Sequence, residues 1–310
     1  MTLSPEIPTR AAPLGPGSRA VELTAADGTR LRAAMLEGGG RGCALLLQGR
    51  TEFAEKYAQV AQALKSRGFS VATIDWRGQG GSQRPLADPR KGHVGGFTEY
   101  QADLDALLAA TADAGAGPPR LALAHSMGGA IALRAFVEGR LAPAAAVFSA
   151  PMWGLALSRP ARAVAKAVVF VAARLRCAER YGPGGGPASY AETDPDPNVL
   201  TADPAQAEAL AALTRANPDL ALGGPTYGWL RAAFREMRAL ERVACPVPSL
   251  VLVGGGEAVT SPKAMAARAA RDGMRLETIP GGRHELFLET PERQAAAWAA
   301  VDGFLAGQRL

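Results

Sequence analysis

The sequence predicts an α/β fold, in which a mostly parallel central sheet is covered by helices on both faces. The first observation behind this prediction is a set of short, continuous apolar runs, which are typical of strands buried on both faces. The second is that these runs alternate along the chain with longer segments of helical character. Because each parallel connection must cross one face of the sheet, this alternation indicates a parallel sheet between two layers of helices.

The first elements along the chain are a hairpin, two buried strands and two helices. The stretch RAVELTAADGTRLRAAMLE alternates apolar and polar residues on both sides of Asp27-Gly28, which predicts two strands joined by a turn. The run CALLLQG predicts a buried strand, and the helix that follows it over residues 52–67 stops at Gly68. The run FSVATIDW predicts the next strand, and residues 97–114 form the next predicted helix.

Four further apolar runs continue the alternation towards the C-terminus. RLALAHS predicts a strand before a helix over residues 127–138, and AAAVFSA predicts another strand. PSLVLVGG precedes a predicted helix over residues 262–271, and MRLETIPGG precedes a final helix over residues 291–305.

One interval breaks this rhythm and predicts an insertion. Residues 152–246 have helical patterns but no clear strand, and they are too many for a simple crossover. We therefore expect an inserted helical cap over residues 152–246. It separates a first part of the core over residues 19–151 from a second part over residues 247–310, and a loose lead-in rich in Pro and Gly covers residues 1–18.

Composition excludes several function classes. The 310 residues are enough for one large domain or two ordinary ones, and 48% hydrophobic with 20% charged residues is typical of a globular chain. The formal charge of +5, from 34 basic and 29 acidic residues, is mild and includes no polybasic run. We therefore expect no nucleic-acid partner.

The cysteines and the N-terminus predict a cytoplasmic protein. Cys43, Cys177 and Cys245 are odd in number and far apart, so they indicate neither a disulfide framework nor a metal site. The first residues lack the apolar core and basic flank of a signal peptide, and no stretch of 18 residues is apolar enough to span a membrane.

Ser126 is the candidate nucleophile. It stands in LALAHSMGGAI, at the end of a predicted strand and immediately before a predicted helix, the context of a G-x-S-x-G elbow. A sharp turn needs small neighbours, which Gly128 and Gly129 provide, whereas Ala124 replaces the first glycine of the motif. A serine that caps the helix N-terminus is the alternative interpretation.

Chain order supplies the acid and the base. His284 follows the last predicted strand in PGGRHELF, where hydrolases with such an elbow carry their histidine. Glu257, in GGGEAVTSP, is the one carboxylate between the preceding strand and the next helix, and it would hold the imidazole in the required tautomer. A solvated loop glutamate is the alternative for Glu257.

Two backbone amides complete the predicted site. The N–H that follows the nucleophile, here that of Met127, is one donor to an oxyanion. The other usually comes from the loop after the first buried parallel strand, where LLLQGR offers a flexible Gly49 and the N–H of Arg50.

These pieces give the chain a clear resemblance to a known family. From about residue 19 to 305 it resembles an α/β-hydrolase of the lysophospholipase and monoacylglycerol-lipase group. The motifs that carry the resemblance are LLLQGRTEFAEKY, DWRGQGGS, KGHVGGFTEYQADL, LALAHSMGGAIALR, NVLTADPAQ, LGGPTYGWL and GGRHEL. The chain departs from the family pattern at Ala124, at Gln48, where most relatives have histidine, and at Glu257, where Asp is commoner.

The resemblance implies an α/β-hydrolase fold, a catalytic triad and a cap over an acyl-binding pocket. The triad is Ser126, Glu257 and His284, with the backbone N–H groups of Arg50 and Met127 as oxyanion donors, and no metal or organic cofactor is needed. The expected function is serine hydrolysis of carboxylic esters, chiefly monoacyl lipids (lysophospholipid or monoacylglycerol), through an acyl-enzyme. The alternatives are an esterase, lactonase, thioesterase or perhydrolase acting on a small non-lipid substrate, and a non-catalytic binding protein of the same fold.

Two conspicuous motifs are not interpreted as catalytic. Asp75 in DWRGQG precedes the serine in chain order, and its glycines suit a tight turn. His93 is interpreted as a residue that fixes a loop, and His125, which adjoins Ser126, must point elsewhere.

The start of the predicted cap combines basic and apolar residues. On a helix, Arg159, Arg162 and Lys166 fall within one narrow arc, with Arg174 and Arg176 beside it, and most other residues over 153–176 are apolar. One interpretation is a helix that packs its apolar side on the core and exposes its basic side. The other is a helix that rests on anionic lipid, as a weak peripheral contact at the inner membrane surface.

Overall fold

The structure is a computed structural model that describes residues 10–193, 195–308 and 310. Residues 1–9 of the predicted lead-in lie outside the described residues. In the described part, the chain from residue 10 to 17 forms turns, and Leu14 is fully buried, with its carbonyl accepting a hydrogen bond from Gln62. The sheet has these strands: β1 Ser18–Thr24, β2 Arg30–Leu36, β3 Cys43–Leu47, β4 Ser70–Asp75, β5 Pro119–His125, β6 Ala145–Ser149, β7 Ser249–Gly254 and β8 Arg275–Ile279.

The sheet is mostly parallel, as predicted. Its strand order is β1-β2-β4-β3-β5-β6-β7-β8. The predicted N-terminal hairpin pairs β1 with β2 and turns at Gly28, whose φ of 83° suits glycine. β2 also pairs antiparallel with β4, and every pairing from β4 to β8 is parallel.

Helices cover both faces, which confirms the predicted fold class. The helices are α1 Ala58–Ser66, α2 Phe97–Asp113, α3 Met127–Val137, α4 Arg159–Arg174, α5 Pro204–Ala216, α6 Tyr227–Leu240, α7 Pro262–Asp272 and α8 Pro291–Gly307. α1 and α8 bury Val60, Leu64 and Val301 on one face of the sheet. α2, α3 and α7 bury Leu104, Ile131 and related side chains on the other. β3, β6 and β7 are completely buried between these layers, and β5 is buried from Leu121 onward, so their apolar runs show no alternation.

The helix predicted over residues 52–67 is shorter in the structure. A 3₁₀ turn over Ala54–Tyr57 precedes α1, so the segment from 52 to 57 lies outside the α-helix. Tertiary hydrogen bonds hold this segment: Asp75 accepts from the Ala54 N–H, and Gln79 donates to the Glu52 carbonyl. Contacts with residues distant in sequence therefore override the local helical pattern.

Between β6 and β7 the described residues form α4, α5 and α6 and add no strand to the sheet. α6 packs directly on the core, where Trp229 contacts the rings of Phe97 and Tyr100, and Glu236 pairs with Arg134 of α3. α4 packs in turn on α6. The insertion is thus anchored by α6 and reaches outward through α4.

α4 turns an apolar face outward. Val169 and Ala172 are buried, but Val164, Phe170 and Val171 are 62%, 58% and 52% exposed. The basic arc is partly turned inward, because Arg162 is half-buried and Arg162 and Lys166 line a groove shared with α6 and α7. Val164, Phe170 and Val171 therefore do not pack on the core. Throughout the described part of the chain, the helices lack the combination of length and apolar composition that crossing a membrane requires.

Candidate active site

Ser126 lies on a strained elbow between β5 and α3. Its φ of 50° and ψ of −116° are unfavourable for a residue with a side chain. Its N–H donates to the Ser149 carbonyl, and its own carbonyl accepts from Gly129 and Met152, which fixes the turn from both sides. The strain is retained because neighbouring elements determine the backbone.

The two glycines after Ser126 are required by close packing. A Cβ on Gly128 would lie 2.1 Å from the Leu47 carbonyl oxygen of β3, and one on Gly129 would lie 2.6 Å from Pro151 Cβ. Ala124, by contrast, lies in β5 with its methyl group completely buried. The small-residue requirement therefore falls on the helix side of the elbow, which explains why alanine is accepted at position 124.

His284 and Glu257 are brought together from two loops. Glu257 follows β7 and His284 follows β8, and His284 Nδ1 lies 2.8 Å from Glu257 Oε2. The other carboxylate oxygen, Oε1, accepts the N–H groups of Val259 at 2.7 Å and Thr260 at 2.9 Å. Both side chains are buried, so Glu257 is not a solvated loop residue.

These contacts keep Glu257 ionised. Burial by itself would raise the pKa of Glu257, but the hydrogen bond and charge of His284 and the two backbone N–H donors together lower it below its ordinary value. The loop that carries Glu257 is fixed by the chain after β6: the Ala156 N–H donates to the Val259 carbonyl, and the Ser261 N–H donates to the Gly154 carbonyl. A carboxylate held in this way can orient an imidazole.

The predicted oxyanion donors come from two segments that adjoin Ser126. Met127 is the first residue of α3, where the amide has no acceptor within the helix. Arg50 follows β3, and a Cβ on the preceding Gly49 would lie 3.0 Å from Ser126 Cβ, so this loop touches the elbow. Its backbone is held because Gln79 donates to the Gly49 carbonyl and Glu52 accepts the Gly49 N–H.

Four of the five predicted site residues line one cavity, and the fifth lies behind it. Ser126, His284, Arg50 and Met127 line a cavity of about 600 Å³, and Glu257 lies directly behind His284. Among the described residues, Ser126 Oγ and His284 are not joined by a hydrogen bond; catalytic hydrogen bonds in apo structures are often long and tighten when substrate binds.

A second charged group at this cavity was not predicted. Lys56 Nζ lies 2.5 Å from Glu52 Oε1 and 2.6 Å from Glu285 Oε1, and the hydroxyl of Tyr57 donates to Glu52. His125 Nε2 lies 3.5 Å from Glu285 Oε1. We call Glu52, Lys56, His125 and Glu285 the charged cluster. The ammonium group of Lys56 lies between the carboxylates of Glu52 and Glu285 and pairs with both.

The sequence contained a signal for the charged cluster. Glu285 directly follows His284, and His125 directly precedes Ser126, so both neighbours of the proposed catalytic pair carry ionisable side chains. Lys56 and Glu285 are 229 residues apart in sequence, and only the fold shows that they pair.

The residues that we interpreted as structural are held away from the chemistry. Asp75 is buried, pairs with Arg32 and accepts the Gly81 N–H, and Gln48 donates to Asp75 and to the Ile74 carbonyl. Both therefore connect β3 and β4 with the loops that follow them.

His93 connects a loop of the core with the insertion. Its Nδ1 lies 2.8 Å from the Thr226 hydroxyl, at the N-terminus of α6, and its ring packs against Gly228. This contact agrees with the interpretation of His93 as a residue that fixes a loop.

The chain is similar to hydrolases of one family over most of its length. It matches the family described as Serine aminopeptidase, S33, over residues 39–291. It is 31% identical over 273 residues to the lysophospholipase L2 of Escherichia coli (strain K12), covering 84% of this chain and 79% of that protein. It is 28% identical over 263 residues to the monoacylglycerol lipase of Mycolicibacterium smegmatis, covering 82% of this chain and 84% of that protein.

A solved structure shows the same fold. A soluble variant of the monoglyceride lipase of Saccharomyces cerevisiae, in complex with a substrate analog, superposes with a TM-score of 0.73 at 18% identity, covering 99% of this chain and 98% of that one. The family match extends over the elbow, both loops and the insertion. The chain therefore belongs to the serine aminopeptidase S33 family of α/β-hydrolases, within its lysophospholipase and monoacylglycerol lipase group, and is a carboxylic ester hydrolase.

Proposed function

We propose that this enzyme hydrolyses monoacyl lipid esters, lysophospholipid or monoacylglycerol, through an acyl-enzyme on Ser126. The observation that carries the proposal is the 2.8 Å hydrogen bond between His284 and Glu257 at the cavity that the strained Ser126 also lines. The names of the relatives, which are lysophospholipases and a monoacylglycerol lipase, support the substrate class.

Acylation begins when Ser126 Oγ attacks the ester carbonyl carbon. His284 Nε2 takes the serine proton, while Glu257 accepts the hydrogen bond from Nδ1–H and stabilises the imidazolium. The carbonyl oxygen becomes an oxyanion that accepts hydrogen bonds from the backbone N–H groups of Arg50 and Met127. The carbon–oxygen bond to the alcohol then breaks, and the imidazolium returns its proton to the departing alkoxide.

Deacylation repeats these steps with water. His284 takes a proton from a water molecule, whose oxygen attacks the acyl carbon on Ser126. The same two amides hold the second oxyanion. Its collapse releases the carboxylic acid and returns the proton to Ser126 Oγ.

The cavity supports a single acyl chain as the substrate group. Besides the polar residues, its lining includes Phe53, Met152, Leu222 and Val259, and a volume of about 600 Å³ lies in the range of pockets for small ligands. Leu200 and Leu210 also line it. We therefore propose that residues 152–246 act as a cap between core parts 19–151 and 247–310 and select the acyl chain.

A fluorophosphonate probe and an ester panel test this proposal. The probe should label the wild-type protein rapidly, because only an activated serine reacts quickly. Ser126→Ala should abolish labelling and lower hydrolysis by about three orders of magnitude or more. In the panel, monoacyl esters should exceed short-chain esters, lactones and thioesters in kcat/KM. A Ser126→Ala protein that keeps about a tenth of wild-type activity would contradict the assignment.

We also propose that α4 makes a weak peripheral contact with anionic membranes at the cytoplasmic surface. The exposed Val164, Phe170 and Val171 supply an apolar face, and the exposed Arg159 and Arg174 supply positive charge near it. The free thiols of the three cysteines suit a reducing compartment. This contact would bring single-chain amphiphiles close to the cap.

A further inference from the structure

The side chain of Arg50 enters the cavity and is only partly satisfied. Its Nη2 donates to the Gly223 carbonyl at 2.5 Å, and its guanidinium carbon lies 5.2 Å from the centre of the Trp229 ring. Its Nε is buried and has no hydrogen-bond partner among the residues that the structure describes. The guanidinium therefore retains donor capacity at a surface that substrate must contact.

The charge of Arg50 is uncompensated among the described residues. Burial lowers the pKa of Arg50 to about 10, so the side chain is still cationic at neutral pH. No carboxylate in the described part of the chain lies within 4.0 Å of it, whereas Lys56, another cation lining this cavity, pairs with Glu52 and Glu285. A buried cation without a counter-charge is costly, and an anionic ligand would remove that cost.

We propose that the Arg50 guanidinium is the subsite that binds the phosphate group of a lysophospholipid substrate. This inference rests on the proposed function, because it takes the acyl ester to be at Ser126. Arg50 adjoins Gly49, which touches Ser126, so its side chain extends from the reaction centre. In a lysophospholipid the phosphodiester is joined to the acyl ester through one glycerol unit, and a guanidinium binds phosphate oxygens in a bidentate manner.

The same subsite discriminates between the two proposed substrates. A monoacylglycerol has a neutral hydroxyl where the lysophospholipid has a phosphate. The hydroxyl can accept one hydrogen bond, but it supplies no charge to the guanidinium. The structure thus favours lysophospholipid over monoacylglycerol of equal chain length.

Arg84 is a matched control that tests whether Arg50 has a purely structural role. Arg84 also donates to backbone carbonyls of the insertion, those of Asp219 and Leu220, and burial likewise lowers its pKa to about 10. Its Nη1 is buried and has no hydrogen-bond partner in the described ranges, but Arg84 is not among the described residues that line the cavity. A variant at Arg84 therefore loosens the insertion without removing the proposed subsite.

The experiment compares two substrates that share one acyl chain. For the wild type, Arg50→Gln and Arg84→Gln, kcat/KM is measured with a lysophosphatidylglycerol and with the matching monoacylglycerol. We expect the ratio of the two values to fall by about 10- to 100-fold in Arg50→Gln. In Arg84→Gln it should stay within about threefold. An unchanged ratio in Arg50→Gln, or an equal fall in Arg84→Gln, overturns the proposal.

A second measurement uses only the wild-type protein, in case Arg50→Gln does not fold. Dodecyl phosphate should inhibit monoacylglycerol hydrolysis at least about tenfold more strongly than dodecanol, because only the phosphate meets the guanidinium. Equal inhibition by the two compounds overturns the proposal. Inorganic phosphate should inhibit far less than dodecyl phosphate, and equal inhibition by these two would overturn the assignment to a lipid phosphate.

The failure of this inference is distinguishable from failure of the proposed function. A wild-type protein that labels with fluorophosphonate and cleaves monoacylglycerol, but not lysophosphatidylglycerol, retains the triad and loses the phosphate subsite. A protein that neither labels nor cleaves either ester overturns both.

Discussion

Two histidines meet at the cavity, and their surroundings differ. The rings of His284 and His125 lie edge to face, with centroids 4.7 Å apart. His284 has one carboxylate, Glu257, hydrogen-bonded to Nδ1 at 2.8 Å. His125 has two carboxylates near Nε2, Glu285 at 3.5 Å and Glu52 at 3.9 Å, but within the described part of the chain its Nε2 makes no hydrogen bond.

The difference suits His284 for proton transfer and favours the protonated form of His125. A single hydrogen bond fixes the tautomer of His284 and leaves Nε2 as the nitrogen that can accept a proton. For His125, burial alone would lower the pKa, but the charges of Glu285 and Glu52 outweigh it and raise the pKa above the ordinary value, against a smaller opposing effect of Lys56. Adjacent imidazoles can therefore differ in role because the number and distance of their carboxylates differ.

The comparison predicts its largest effect at His284. His284→Ala should lower kcat by about 10⁴- to 10⁶-fold, because no other group would accept the serine proton. His125→Gln, the matched variant, should lower kcat by at least about two orders of magnitude less. Steady-state kinetics with a monoacyl ester measures kcat for both variants. Similar losses of kcat in the two variants would contradict the different roles of the two histidines.

The next largest effect concerns Glu257, the carboxylate that is hydrogen-bonded to His284. In Glu257→Gln, the N–H groups of Val259 and Thr260 would donate to the oxygen of the new side-chain amide, so its NH₂ group would face His284 Nδ1. The histidine would then carry its proton on Nε2 and could not act as base, and kcat should fall by about 10³- to 10⁴-fold with little change in KM. Glu277→Gln, an exposed carboxylate paired with Arg275 on β8, is the control. A kcat equal to that of the wild type in Glu257→Gln would exclude Glu257 as the carboxylate of the triad.

A pH profile also tests the base. With His284 as base, kcat/KM should be lower in acid than at neutral pH, because the imidazole must be neutral to accept a proton. A profile that does not fall in acid would contradict histidine as the base. Buffers of constant ionic strength control for general salt effects on the substrate.

The charge of His125 predicts a pH effect on stability. Because the pKa of His125 is raised in the folded protein, its contribution is fully present below the unfolded pKa of about 6.5 and is lost as pH rises through the folded value. The free energy of unfolding of the wild type should therefore fall relative to that of His125→Gln between pH 6 and pH 9. Urea unfolding at both pH values measures the difference, and a difference that stays constant or grows with pH would refute a cationic His125.

The smallest expected effect lies outside the cavity, on α4. Cosedimentation with anionic vesicles at low salt should weaken several-fold in Val168→Asp and disappear for the wild type at high salt or with neutral vesicles. Val137→Asp, on α3, is the matched control, since both valines are 37% exposed. Equal binding to neutral and anionic vesicles, or equal weakening by the two substitutions, would leave α4 as an ordinary part of the cap.

The sequence by itself determined the fold class, the order of the strands along the chain and the three residues of the proposed triad. The runs before Ser126 and Glu257 are buried strands in the structure, because continuous apolar segments between polar loops are stable when buried in a sheet. The run before His284 is the partly exposed edge strand β8. Parallel strands have their carboxyl ends at one edge, so residues that follow different strands meet there.

Tertiary structure alone decided which charges are compensated and which face of α4 is exposed. Periodicity predicts that α4 is amphipathic, but which side of α4 faces outward depends on its packing against α6, which begins about 70 residues later in the chain. Arg162 and Lys166 line the groove that α4 shares with α6 and α7. Lys56 and Arg50 are six residues apart and both cationic, yet one meets two carboxylates and the other none among the described residues. Helices and strands follow from local hydrogen bonds and periodicity, whereas the pairing of a buried charge depends on chain segments that only folding brings together.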